Sequence, residues 1–193
     1  MDVKSLKPLV ERLDQTCRHT LEMAAGLCMT RTNYDIELEH FLLKLLEEPH
    51  TDMEHILHHY EVNQERLTND VTRALERLRT GNARPPAFSS RLFVLLREAW
   101  LLASLEYDAM KIRSGHLLVA LLLNDPLASI AREISKEFEF ISVESLRRQL
   151  PELVAGSIEE RQVGEPSRPL TQRPVPTPVI TAPHGGSAVH TEE

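Results

Sequence analysis

One pattern is written twice in this chain. "EHFLLKLLEEP" occupies residues 39–49 and "GHLLVALLLNDP" residues 115–126, each with a histidine ahead of a leucine-rich run and a proline at its end. His40 and His116 are 76 positions apart, and the same offset relates Ile36 to Ile112, Leu42 to Leu118, Leu45 to Leu121 and Glu22 to Glu98. "TLEMAAGLC" ahead of the first run likewise matches "LREAWLLAS" ahead of the second. A fixed internal period constrains the fold before any local propensity does. Two copies are too few for a solenoid, so the offset predicts two pseudo-symmetric halves packed as one domain.

Both halves read as helix. Apolar residues recur at helical spacing from residue 2 to 155 and nothing alternates like a strand, so the expected fold class is all-α. Asp14 suits the N-cap of a helix over about 15–29, with Cys17, Leu21, Ala24 and Cys28 on its inner face. Helices are also expected over about 37–48, 52–60 and 63–79. Asn63 caps the last of these, Leu67, Val71, Ala74 and Leu78 face inward, and Gly81 ends it. Pro85 and Pro86 in "TGNARPPAF" forbid a continuing helix. They separate a first repeat at 14–80 from a second at 89–158 through a loop at 81–88. Ser89 or Ser90 restarts a helix to about 106, with Leu92, Leu95, Leu96, Ala99 and Leu102 inward. Ser114 is expected to cap the second copy of the opening element, followed by shorter helices over about 127–137 and 142–154.

At 193 residues and a formal charge of −7, the chain has room for one domain plus extra sequence. Its acidic balance argues against nucleic acid as a partner, which calls for a basic patch. No apolar run reaches the ~18 residues of a membrane span, and the first residues lack the pattern of a signal peptide. A cytoplasmic protein with no membrane partner is expected. Cys17 and Cys28 lie on one expected helix with their Cα atoms roughly 16 Å apart, beyond the reach of about 7 Å that a disulfide allows. Both are expected as buried thiols. From residue 159 onward there is no aromatic residue, and six of the chain's twelve prolines lie there. Such a segment cannot offset its ordering entropy, so 159–193 is expected to be a disordered linker, with truncation after Glu160 leaving thermal stability nearly unchanged.

The sequence holds no phosphate-binding GxxxxGK loop, no GxSxG elbow and no paired-cysteine metal site. "HILHH" places His55 and His59 one helical turn apart, which raises a metal-dependent hydrolase as a reading from another class. A zincin needs glutamate directly after the first histidine, and Ile56 stands there. A solvated polar face is expected instead, with no metal ligands and no catalytic residues. His40 and His116, duplicated without any duplicated acid or nucleophile, are expected to satisfy backbone groups at helix starts.

The doubled "EHFLLKLL" and "GHLLVALL" elements, each following an Ala/Leu-rich helix, resemble the Clp N-terminal domain that precedes the ATPase rings of Hsp100 AAA+ unfoldases. The resemblance covers about residues 14–155. It implies a pseudo-two-fold pair of four-helix repeats and a linker toward an ATPase ring. It also implies a binding domain with no enzyme activity and no cofactor of its own, ATP and Mg²⁺ belonging to the missing rings. The isolated domain is expected to be monomeric and its parent hexameric. "MDVKSL", "CRHTLEMAAGLC", "SSRLFVLLREAWLLASLEY" and "IRSGHLLVALLL" look like the ClpV branch, which has an extra leading helix, here at 1–13. Leu38 departs from the pattern, standing where Ser114 is expected to cap the second copy. The implied partner is an amphipathic helix near the N-terminus of the large type VI secretion sheath subunit. The implied task is its recognition for sheath disassembly and recycling. The alternative is the N-domain of a general Hsp100 disaggregase or protease-associated unfoldase that binds adaptors or unfolded clients.

The residues themselves make a groove plausible. Val3, Leu6, Leu9 and Leu13 form a stripe at helical spacing, with Pro8 tolerated in the first turn. Phe88 beside rigid Pro85 and Pro86 offers a second wall. The expected peptide-binding set is Leu6, Leu9, Leu13, Cys17, Pro85, Phe88 and Leu92, a helix-in-groove arrangement. The other possibility is that the leading helix caps the core and Phe88 fills it.

Overall fold

The computed structural model describes residues 6–164. The first repeat comprises α2 (Gln15–Thr30), α3 (Leu38–Glu47), α4 (Asp52–His59) and α5 (Gln64–Glu76). The second comprises α6 (Ser90–Glu106), α7 (Ser114–Leu123), α8 (Asp125–Ile134) and α9 (Val143–Leu153), with a 3-10 turn at Lys136–Phe140. A short α1 (Lys7–Arg12) precedes the repeats and α10 (Ile158–Gly164) follows them. The all-α, doubled fold read from the sequence is the one observed, and α3 and α7 keep the 76-residue offset at both ends.

The two halves are stitched by a reciprocal exchange of short strands. β1 (Asp35–Ile36) pairs in parallel with β2 (Ala87–Phe88), and Leu13 forms the matching bridge to Ile112. Asp14, the N-cap of α2, donates its backbone N–H to the Ile112 carbonyl, while Ser89, the N-cap of α6, donates to the Ile36 carbonyl. Each repeat therefore secures the start of the other's first helix. Residues just before α2 and α6, whose amides helix geometry leaves unpaired, find their acceptors across the pseudo-symmetry axis.

The expected inner faces hold for α2 and α6: Cys17, Leu21, Ala24 and Cys28, and Leu92, Leu95, Leu96, Ala99 and Leu102, are all buried. On α5 the core residues are Leu67, Val71 and Leu75, and Ala74 is only half-buried. That helix ends at Glu76, so Gly81, at φ +97, shapes the following loop rather than the helix end. Both cysteines are free thiols. Across the repeats, α4 packs on α7 and α9, and α5 packs on α8. Gly115 permits the α4–α7 approach, because a Cβ there would meet Asp52 and Leu150 side-chain atoms at 3.1 Å.

Ser114 is not a cap. The N-cap of α7 is Arg113 and that of α3 is Glu37, so Leu38 and Ser114 are each the first helical residue. In both copies the histidine three residues past the cap closes the end: His40 Nδ1 accepts from Glu37 N–H and His116 Nδ1 from Arg113 N–H, each at 3.1 Å. His40 also bonds Asn33 Oδ1 at 3.0 Å, whereas His116 stacks on Tyr107. A ring nitrogen that must accept cannot carry a proton, and burial lowers both histidines to about 4. Each therefore supports folding fully near neutral pH and loses that support as pH falls from about 6.5 to about 4, on the order of 2–3 kcal/mol apiece. An NMR titration of the imidazole signals is expected to place both midpoints near the lower value. Midpoints near 6.5 would contradict the capping role.

The expected linker boundary needs correction. Residues 158–164 are helical, and Glu159 is fully buried. "SIEE" at 157–160 starts this helix as a serine cap, with Ser157 Oγ accepting from Glu160 N–H. Truncation after Glu160 would therefore cut through α10. The linker reading for 165–193, like the parts of the leading-helix reading that rest on Val3, lies outside the described residues.

Candidate functional site

α1 is the element with no counterpart ahead of α6, where the second repeat has the proline loop. It starts with Pro8 in its first turn, and its last carbonyls are held by cations: Lys111 Nζ and Arg18 Nη2 both donate to the Glu11 carbonyl, at 2.8 and 3.2 Å. Ile112 N–H donates to the Arg12 carbonyl at 2.8 Å, and the Arg12 guanidinium lies 4.5 Å from the Trp100 ring centroid. α1 thus lies along α6, leaving Leu9 and Val10 on one helix and Phe93 and Trp100 on the other half-buried. Phe93 and Trp100, seven residues apart, share a face of α6. The seam between the two helices is joined by the Arg12–Trp100 contact, and Leu9, Val10, Phe93 and Trp100 are among the apolar side chains that α1 and α6 leave partly open.

The structure sorts the expected groove residues. Leu13, Cys17 and Leu92 are each 0 % exposed and Leu6 is buried, so these four belong to the core and leave almost no surface for a contact. Leu9 is half-buried on α1, Phe88 is half-buried, and Pro85 is exposed. Leu13 and Phe88 do not face each other. Leu13 bridges to Ile112 just ahead of α2, whereas Phe88 pairs with Ile36 beyond its far end, and a 16-residue helix spans roughly 24 Å. Sequence reasoning did not single out Phe93 and Trp100 because α6 is apolar nearly all round, which hides which of its residues stay half-buried.

A second feature was not foreseen. The Glu159 carboxylate enters between the first turns of α4 and α7, accepting from Asp52 N–H (2.6 Å), Ser114 N–H (2.7 Å), Ser114 Oγ and the Cys17 thiol (3.4 Å). Asp52 is paired with Arg113 at 2.6 Å and accepts from Ser157 Oγ. Burial, then the nearby Asp52 and Asp14 carboxyls, push Glu159 up to about 8 against these donors. Burial also pushes the Cys17 thiol well above its usual range. Asp14, Cys17 and Glu159 are, among the described residues, the one set of three potential metal-ligand atoms within 4.8 Å of one another. The "HILHH" histidines form no such set; with His50, Glu54 and Glu152 they line an open surface hollow of about 550 Å³.

Comparison with known proteins places this architecture. The sequence model of the Clp repeat (R) N-terminal domain matches residues 12–138. The chain belongs to that family. Among curated members, the chaperone protein ClpB of Yersinia enterocolitica is 31% identical over 94% of this chain and 20% of its own length. The AAA+ ATPase ClpV1 of Pseudomonas aeruginosa is 28% identical over 78% of this chain and 17% of its own length. The chain therefore spans about a fifth of these curated Clp-repeat relatives. A solved complex of a ClpV N-domain with a VipB peptide superposes with a TM-score of 0.70 at 31% identity, covering 80% of this chain and 94% of that one. No helix among the described residues is long and apolar enough to cross a membrane.

Proposed function

We propose that this Clp-repeat chain is the substrate-recognition N-terminal domain of a ClpV-like AAA+ unfoldase of type VI secretion. It seats an amphipathic helix from the N-terminus of the large sheath subunit on the α1–α6 seam, for sheath disassembly and recycling. The supporting observation is the similarity to a ClpV N-domain that was solved with a bound peptide. In this chain, α1 supplies a wall that the repeat pattern does not account for. A ligand helix with apolar residues at i, i+3, i+4 and i+7 can bury that stripe against Leu9, Val10, Phe93 and Trp100. Outside the fold lie the tasks of the longer parent: ATP and Mg²⁺ belong to its rings, it is hexameric and cytoplasmic, and the isolated domain is monomeric.

The identity to ClpB over 94% of the chain favours a second reading, a general Hsp100 N-domain that takes unfolded clients or adaptors. A titration separates them. The first reading expects a synthetic sheath-subunit N-terminal helix to bind saturably near micromolar concentration, and a permanently unfolded client such as reduced, alkylated lactalbumin not to compete. Competition by the unfolded client with no binding of the sheath helix would favour the second.

A further inference from the structure

α10 is attached by an unusual set of forces. Ile158 is 40 % exposed, Ser157 and Glu159 are fully buried, and the contacts that the described side chains make to the body are mainly hydrogen bonds. Glu159 bridges the first turns of α4 and α7, Ile158 N–H donates to the His50 carbonyl at 2.8 Å, and Gln162 meets Thr16 Oγ1 at 3.1 Å. Lifting α10 away exchanges these bonds for bonds to water, which offsets much of their strength, so a segment secured by them opens more readily than one held by apolar packing alone.

The placement of those contacts matters. Thr16 and Cys17, which touch Gln162 and Glu159, lie in the first turn of α2. The same turn follows α1 after only Leu13 and Asp14, its Arg18 donates to the Glu11 carbonyl of α1, and Asp14 both caps it and bonds Ile112. α1 on one side and α10 on the other therefore touch the same turn of helix. Two events that order the same element assist each other, because the second meets a smaller entropy cost.

We propose that α10 is a detachable strap whose docking is positively coupled to peptide binding at α1, so that occupancy of the seam governs how firmly α10 is held to the body. The coupling rests on the α1–α6 seam being the peptide site. Linkage makes it reciprocal. The ligand holds the strap down, and the strap raises affinity for the ligand.

Hydrogen exchange on the full chain tests this, read at the amides of 158–161 with and without a saturating sheath-helix peptide. The expected result is slowing by roughly fivefold or more, the lower end of ordinary coupling, together with a similar loss of peptide affinity in Glu159→Ala. Gln162→Ala removes only a surface contact and serves if Glu159→Ala fails to fold; it should weaken binding in the same direction. Saturable binding with unchanged exchange overturns the coupling and leaves the peptide site standing. Absence of saturable binding overturns the peptide site and the coupling with it.

Discussion

Arg113→Ala is expected to lower stability by about 3–5 kcal/mol, the usual cost of stranding one partner of a buried ion pair. Asp14, Asp52 and Glu159 are all less than 5 % exposed, and the Arg113 guanidinium is the cation paired within this group, bonding Asp52 at 2.6 Å and Ser157 Oγ at 3.2 Å. Removing it leaves acidic side chains facing one another with water excluded. For a domain of this size the melting temperature should drop on the order of 10 °C. Arg113→Lys keeps the charge but loses the planar fork and should fall between. Urea unfolding of the three proteins measures this directly. A loss under about 1 kcal/mol for Arg113→Ala would show that the carboxyls need no counter-charge, contrary to the arrangement described.

Leu9→Glu combined with Trp100→Ala should weaken binding of a sheath helix roughly ten- to a hundredfold, taking 1.4 kcal/mol per decade. The first change puts a charge on the half-buried seam, and the second removes its largest surface, the kind of side chain that dominates interface energetics. Trp100 also carries the Arg12 contact, so its loss should cost some stability, and thermal melts must accompany the titration. Normal affinity in a folded double variant would move the binding site off the seam.

Much of this fold was legible because it rests on spacing. The repeated histidine–leucine element set the two-fold organisation, Asp14 and Asn63 were correct caps, Ser89 proved to be the cap of the two serines offered for α6, and the inner faces of α2 and α6 followed from periodicity. What failed depends on contacts distant in sequence. Ser114 resembles a cap, yet its hydroxyl accepts from Met53 N–H in α4 and donates to Glu159, partners that no local window contains. Composition merged α10 with the proline-rich tail, although "SIEE" carried a local start signal. The candidate site was harder still. An apolar stripe on α1 predicts that something is covered, but it cannot say which leucines turn inward. Leu6 and Leu13 did, and Leu9 remained half-buried.

The seam between α1 and α6 is the proposed seat of a bound helix. NMR chemical-shift mapping of this chain with the sheath-subunit N-terminal peptide tests it most directly. Saturable shifts are expected on Leu9, Val10, Phe93 and the Trp100 indole, with smaller ones at the Glu159 contacts in the first turns of α2, α4 and α7 and none in α8. Saturable shifts centred elsewhere, for example on the leucine-lined groove of Leu101, Leu105 and Leu123, with α1 unmoved would contradict it.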